Sequence, residues 1–207
     1  MARRRMIKLT KKWSDYIDKY PNSKWLVCGR GPSIKDLDLD KYKDYKVIGV
    51  NDIENILKPD YLVVVDSLMS FPPDRKEVIR NTKCNEIFVN NAQFGRQLAD
   101  TVFDSRRLIE IKLVNCRKDK DLQSGRIVFS NNSTFVACDI ARRMGGIEIN
   151  LIGVDFTGHK SLDNEKQLKR INEDYELLVK SFNTKGVKLY NLSSTSKITT
   201  IPWKNLK

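Results

Sequence analysis

Histidine is nearly missing from this sequence of 207 residues: His159 stands alone. That excludes a metal centre built from several imidazoles. Cysteine is scarce as well. Cys28, Cys84, Cys116 and Cys138 lie far apart with no C-x-x-C pair, which argues against a zinc ribbon or a disulfide framework and for a reduced, cytoplasmic setting. Apolar runs extend over only a few residues, whereas a membrane-spanning helix needs about twenty. The basic start Met1-Ala2-Arg3-Arg4-Arg5-Met6 has no apolar region behind it, so no secretory signal is read. No repeat, low-complexity linker or Pro/Gly-rich boundary occurs. One domain over residues 1–207 is expected, with a basic N-terminal segment over residues 1–12. A Walker loop, a Ser-His-Asp triad and a G-x-G-x-x-G dinucleotide fingerprint are all missing. Asp38-Leu39-Asp40 reads as a solvated turn, so no metal site is expected from it.

Acid is absent from the first twelve residues, which hold Arg3, Arg4, Arg5, Lys8, Lys11 and Lys12. A second basic cluster comprises Arg106, Arg107, Lys112, Arg117, Lys118, Lys120 and Arg126, diluted by Glu110, Asp119 and Asp121. The formal net charge is +12. Concentrated positive charge favours an anionic partner: nucleic acid, anionic lipid or a phosphorylated substrate. It equally suits a lysine-rich solvated surface. The concentration of charge in two places tips the reading toward a polyanion, with Arg3, Arg4, Arg5, Lys8, Lys11, Lys12, Arg106, Arg107, Arg117 and Lys118 as the candidate nucleic-acid contacts.

What the chain does have is an alternation of short apolar runs with amphipathic stretches. Residues 25–29, 46–50, 61–66, 86–89, 108–114, 147–153 and 187–192 read as strands. Residues 8–20, a segment after Pro73, and residues 93–103, 133–144 and 164–184 read as helices, the fourth stopped by Gly145-Gly146. Strands alternating with helices predict an α/β, Rossmann-like, mainly parallel sheet with helices on both faces. Cys28 and Cys138 fall on core-facing positions.

Polar residues follow four of the apolar runs directly: Gly29-Arg30-Gly31-Pro32-Ser33, Asn51-Asp52, Asp66-Ser67 and Asp155. In a parallel sheet such ends meet at one edge, where open α/β sheets bind ligands. The glycine turn suits a phosphate held against backbone N–H groups, and it equally suits a tight strand-to-helix turn with no ligand. A fifth element, Asn131-Asn132-Ser133-Thr134, opens a helix. Its hydroxyls and free N–H groups suit a phosphate; Asn132 or Ser133 also suits plain N-capping. Asp66 is the residue to consider for a magnesium ion carried with bound phosphates. His159 follows Gly153-Val154-Asp155-Phe156-Thr157-Gly158, a position open to a general base and to an ordinary surface histidine alike.

Cys28-Gly29-Arg30-Gly31-Pro32-Ser33, Val50-Asn51, Pro59-Asp60-Tyr61 with Asp66, and Leu151-Ile152-Gly153-Val154-Asp155-Phe156 occur in an order that resembles one superfamily. One branch holds bacterial sialyltransferases of the lipo-oligosaccharide type, which use CMP-sugars. The other holds the MptE-like and Maf-like proteins, among them archaeal hydroxymethylpterin pyrophosphokinases and flagellin glycosyltransferases. The resemblance spans roughly residues 24–192. Arg126-Ile127 before Asn132-Ser133-Thr134, and Val187-Lys188-Leu189-Tyr190-Asn191-Leu192-Ser193, are more similar to the sialyltransferase branch. The segment after Asp155 is much shorter here and has no paired lid tyrosines, which departs from that branch.

The resemblance implies a variant of the GT-A-like fold and a glycosyltransferase moving a sugar from a CMP-type nucleotide-sugar to a hydroxyl acceptor. The small size and basic charge of the chain favour modified DNA as that acceptor, with a lipid-linked or protein acceptor as the alternatives. It implies nucleotide and phosphate contacts from Gly29, Arg30, Gly31, Pro32, Ser33, Asn51, Asp66, Asn132, Ser133 and Thr134. His159 takes the role of catalytic base, and Asp155 positions the sugar or orders the site. No cofactor beyond the nucleotide-sugar is required on this reading, and magnesium dependence is left open. The alternatives are an MptE-like pyrophosphokinase using ATP and a non-catalytic nucleotide- or nucleic-acid-binding module.

Overall fold

The computed structural model describes residues 11–90, 104–115, 126–130, 132–157 and 165–205. Eight strands form one sheet in which every pairing is parallel. They are β1 (Lys11–Lys12), β2 (Ser23–Cys28), β3 (Lys46–Val50), β4 (Tyr61–Val64), β5 (Ile87–Asn90), β6 (Leu108–Ile111), β9 (Gly146–Ile152) and β10 (Lys188–Asn191). Two more, β7 (Leu113–Asn115) and β8 (Ile127–Phe129), pair with each other in a separate sheet. The α-helices among the described residues are α1 (Pro73–Arg80), α2 (Ser133–Arg143) and α3 (Glu165–Asn183). None of the described helices is long and apolar enough to cross a membrane.

Strand order in the large sheet is β1-β6-β5-β4-β3-β2-β9-β10. The chain lays down β2, steps outward through β3 to β6, then returns to place β9 on the other flank of β2. That reversal is a topological switch point, and it opens a crevice beyond the carboxyl ends of β2 and β9.

The central strands are apolar on both faces because both faces are covered. Along β2, Trp25 and Val27 enter one cluster with Phe135, Ile140, Tyr175, Leu178 and Phe182, contributed by α2 and α3. Leu26 and Cys28 enter the opposite cluster with Leu62, Val64, Leu108 and Ile79 of α1. The period of two sorts neighbouring side chains onto opposite faces. Cys28 and Cys138 are fully buried, and burial pushes both thiols up, away from nucleophilic use at neutral pH.

Three expectations change. Residues 8–20 do not make a helix over the described part. Lys11–Lys12 pair with β6, and Trp13–Tyr16 make one 3-10 turn. Asp18 and Asn22 then adopt left-handed backbone conformations, with φ of 51° and 61°. The N–H groups of Asp18 and Tyr20 donate to the carbonyls of Arg143 and Met144, each at 2.8 Å, and so satisfy the end of α2. The helical spacing of Trp13, Tyr16 and Tyr20 reflects packing against Phe88 and Tyr61. Second, the apolar run 108–114 is two strands in different sheets. Third, β8 was not anticipated. The expected helix over 93–103 lies outside the described residues.

Helix α2 ends as expected, with Met144 as its C-cap and Gly145 at φ 99° next. Its position is fixed by Asp139, which is fully buried. Asp139 accepts from the N–H of Val128 in β8 at 3.1 Å, from Arg142 at 2.7 Å and from Arg143 at 3.0 Å. Both arginine side chains are only 9% exposed. Replacing Asp139 with Ala strands two buried guanidinium groups and a strand N–H. Urea unfolding should register a loss of about 3–5 kcal/mol, the scale for breaking a buried ion pair from one side.

Candidate functional site

The crevice at the switch point is a cleft of about 560 Å³. Gly29, Arg30, Gly31, Pro32, Asn51, Asn132, Ser133, Thr134 and Asp155, all singled out from the sequence, line this one cavity. They come from the ends of β2, β3 and β9 and the start of α2.

Its floor is a clasp between the ends of β2 and β9. The Gly31 N–H donates to the Gly153 carbonyl at 2.6 Å, and the Gly29 N–H donates to the Ile152 carbonyl at 2.9 Å. A side chain at Gly31 would run into Asp155 and the Gly153 carbonyl, and Gly153 itself sits at φ 68° against the Gly29 carbonyl. Asp155, 1% exposed, accepts from the Ser33 N–H at 2.9 Å and from its hydroxyl at 2.6 Å. The Ser33 oxygen accepts in turn from the Gly153 N–H at 3.1 Å. The Ser33 hydroxyl is thus engaged in the clasp, and Ser33 is not among the residues that line the cleft. Asp155 reaches the cleft, but both its oxygens are engaged by Ser33, which makes it a group that orders the site.

Asn51 ends β3 in the left-handed region, with φ 55°, a conformation asparagine tolerates better than most residues. Its Oδ1 is buried without a hydrogen-bond donor among the described residues. Phe156, at φ 53°, follows Asp155 along the rim. At the mouth of α2, Asn132 caps the helix: its Oδ1 accepts from the N–H of Thr134 at 2.9 Å and of Phe135 at 3.3 Å. The Thr134 hydroxyl bonds Asn132 and the Tyr175 hydroxyl. The Ser133 hydroxyl donates to Asp66 at 3.1 Å. The capping reading thus holds, and it occupies donors that a phosphate would otherwise take. Asp66, half-buried, is engaged by Ser133 and is not among the residues that line the cleft. Among the described residues no three His, Cys, Asp or Glu side chains cluster as a metal site would require.

Several lining residues escaped the sequence. Gln167, Arg170, Ile171 and Asp174 of α3 form one wall. Their spacing of i, i+3, i+4 and i+7 is a helix face, a signal present but masked by its polarity. Arg75, in the first turns of α1, forms part of the opposite wall. It binds the fully buried Asp52 with Nε and Nη2, at 3.0 and 2.8 Å. Arg30 donates through Nη1 to Oδ2 of the same carboxylate, an oxygen that Arg75 Nε also reaches. Nothing in the sequence links Arg75 to Asp52.

The expected polyanion contacts fare unevenly. Arg107 donates to the carbonyls of Thr82 and Cys84 at 2.7 and 2.8 Å, a structural use. Arg106 pairs with Asp104, and Lys11 pairs with Glu86. Lys12 is exposed. Arg3, Arg4, Arg5, Lys8, Arg117, Lys118, Asn131 and His159 lie outside the described residues.

Removing the Ser33 hydroxyl tests the clasp. Ser33→Ala leaves a buried carboxylate oxygen and the Gly153 N–H unpaired. Chemical unfolding should show a loss of about 2–3 kcal/mol. A stability equal to that of the parent would return the hydroxyl to a ligand-binding role.

No family model matches the sequence, and no curated protein does. Solved structures do match the fold. The sialyltransferase CST-II in complex with a trisaccharide acceptor and CMP aligns at TM-score 0.56 and 21% identity, over 89% of this chain and 87% of that one. The sialyltransferase CstII from Campylobacter jejuni in complex with the substrate analogue CMP-3FNeuAc aligns at TM-score 0.53 and 20% identity, over 89% and 87%. The Maf glycosyltransferase from Magnetospirillum magneticum AMB-1 aligns at TM-score 0.57 and 14% identity, over 92% of this chain and 35% of that one. The chain shares the α/β fold of these sialyltransferases and of part of the Maf glycosyltransferase, as its motifs led one to expect.

Proposed function

We propose that this protein is a glycosyltransferase that moves a sugar from a nucleotide-sugar of CMP type to a hydroxyl acceptor. The observation that carries the reading is the convergence at one switch-point cleft of the glycine turn, Asn51, the start of α2 and a pair of arginines. Solved proteins of the same fold hold CMP or a CMP-sugar analogue. The orphan Oδ1 of Asn51 offers an acceptor to an amino or hydroxyl group of a nucleoside. The start of α2 and the cleft arginines offer positive potential to the phosphate that leaves.

In the transfer, the acceptor oxygen forms a bond to the anomeric carbon as the bond from that carbon to the phosphate oxygen breaks. The acceptor proton passes to a base, and the nucleotide departs as an anion. His159, four residues after Asp155, is the base in this proposal, on the strength of its place in the sequence and of the resemblance. Asp155 serves by holding the turn. Positive groups in the cleft reduce the need for a metal at the leaving phosphate. For the acceptor, the charge of the sequence favours a polyanion such as modified DNA. The structural engagement of Arg107, Arg106 and Lys11 weakens that choice, and the acceptor class we retain is a hydroxyl compound.

Thermal-shift and calorimetric titration with CMP, UDP, ADP and ATP test the donor. CMP should bind, and Asn51→Gly should weaken it about tenfold, the scale of one hydrogen bond, because glycine keeps the left-handed backbone while removing the acceptor. Preferential ATP binding with magnesium-dependent turnover would instead support the pyrophosphokinase. Replacing His159 with Ala should leave CMP affinity in place and slow transfer by roughly a hundredfold or more, read in a donor-consumption assay. Full turnover in that variant would remove histidine from the chemistry.

A further inference from the structure

We propose that Arg30 and Arg75, mounted together on Asp52, form a subsite for a second anionic group of the bound ligand, so that the donor carries an oxyanion beyond the phosphate next to the sugar bond. This rests on the nucleotide-sugar reading for the identity of the ligand, but the anion subsite stands on its own geometry.

Asp52 is 0% exposed, and two guanidinium groups converge on its single carboxylate. One negative charge against two positive ones leaves the trio with one net positive charge. The arginine side chains are 36% and 31% exposed, and both line the cleft. Their donors are only partly used. Arg75 spends Nε and Nη2 on Asp52, and Arg30 spends Nη1. Arg75 Nη1 and Arg30 Nε and Nη2 have no acceptor among the described residues. A guanidinium offers five N–H donors in a fixed fork suited to phosphate or carboxylate.

The mounting is also stiff. Arg75 lies over the Phe71 ring, 5.2 Å from its centroid. Arg30 sits between Gly29 and Gly31 of the clasp. Unspent donors held in place lose little conformational freedom on meeting an anion, which favours binding. The place is distinct from the start of α2. That helix packs on one face of the sheet, and α1, which carries Arg75, packs on the other. The caps at Asn132 and Thr134 occupy donors at the helix start, whereas the arginine donors remain unspent. The unspent arginine donors fit an oxyanion at their own wall, apart from one drawn to the positive start of α2. The second could be the outer phosphate of a nucleoside diphosphate donor or the carboxylate of an acidic sugar.

The test is calorimetric titration of the full chain with CMP, CDP, CMP-N-acetylneuraminate and inorganic pyrophosphate, repeated on Arg30→Gln and Arg75→Gln. Each variant leaves one arginine on Asp52, so the carboxylate is not stranded, and circular dichroism checks the fold. CDP binding about tenfold tighter than CMP, with the advantage lost in either variant, assigns the subsite to a phosphate. The same gain and loss for CMP-N-acetylneuraminate assigns it to a carboxylate. Arginine-dependent pyrophosphate binding without any binding of cytidine nucleotides upholds the subsite and sinks the CMP donor. Equal affinity of the wild type for all three cytidine ligands, with no pyrophosphate bound, overturns the proposal even if neither variant folds. Affinities that the two substitutions leave unchanged reduce the arginines to structural partners of Asp52.

Discussion

The clasp between Ser33 and Asp155 is the constraint on which the cleft depends. At the switch point two parallel strands diverge, and nothing in a β-ladder holds their ends together once pairing stops. Here the task falls to backbone bonds from Gly29 and Gly31 and to one carboxylate that takes both the N–H and the hydroxyl of Ser33. The glycines let the chains approach closely enough for those bonds to form. A buried carboxylate left without donors would be costly, so the ion and its two donors stand or fall together. The Gly-x-Gly-Pro-Ser and Gly-Val-Asp-Phe motifs are two halves of this one device.

Two faces of the sheet then supply two walls of different chemistry. From one face come the capped start of α2 and the polar stripe of α3. From the other comes α1, which brings Arg75 to Asp52 and Arg30. Much of the positive charge of the chain does not face a ligand at all. Arg142 and Arg143 hold Asp139, Arg107 caps two carbonyls, and Lys204 binds Glu148 at 2.7 Å. Burial opposes the ionisation of Glu148, yet Lys204, Tyr45 and Asn150 outweigh it and hold the carboxyl down at about 2. The count of 38 lysines and arginines therefore overstates the cationic surface available to a partner. Position within the fold, rather than the total, decides which cations can recognise an anion.

Sharing a fold with CMP-bound sialyltransferases and with part of a Maf glycosyltransferase does not fix the reaction. The features of this chain that bear on a ligand are local. An arginine stands inside the glycine turn, and a second arginine shares its aspartate. Both bear on the charge of that ligand.

The sequence by itself determined the parallel α/β architecture, because apolar runs of strand length bounded by turns and alternating with helical stretches have few other ways to bury both faces of a sheet. It determined the end of α2 at Gly145, and it marked the strand ends that meet at the cleft, because in-phase polar residues after parallel strands must arrive at one edge. The tertiary structure alone decided which of those residues line the cleft. Ser33 was engaged by Asp155, 122 residues away in sequence, and Asp66 by Ser133. It alone decided that the aromatic spacing of Trp13, Tyr16 and Tyr20 belonged to packing rather than to a helix, since the carbonyls of α2 captured the nearby N–H groups. Arg75 joined Asp52 across 23 residues for the same reason. Short-range periodicity records which face a residue takes, while a hydrogen bond between distant segments depends on where the whole chain places its ends.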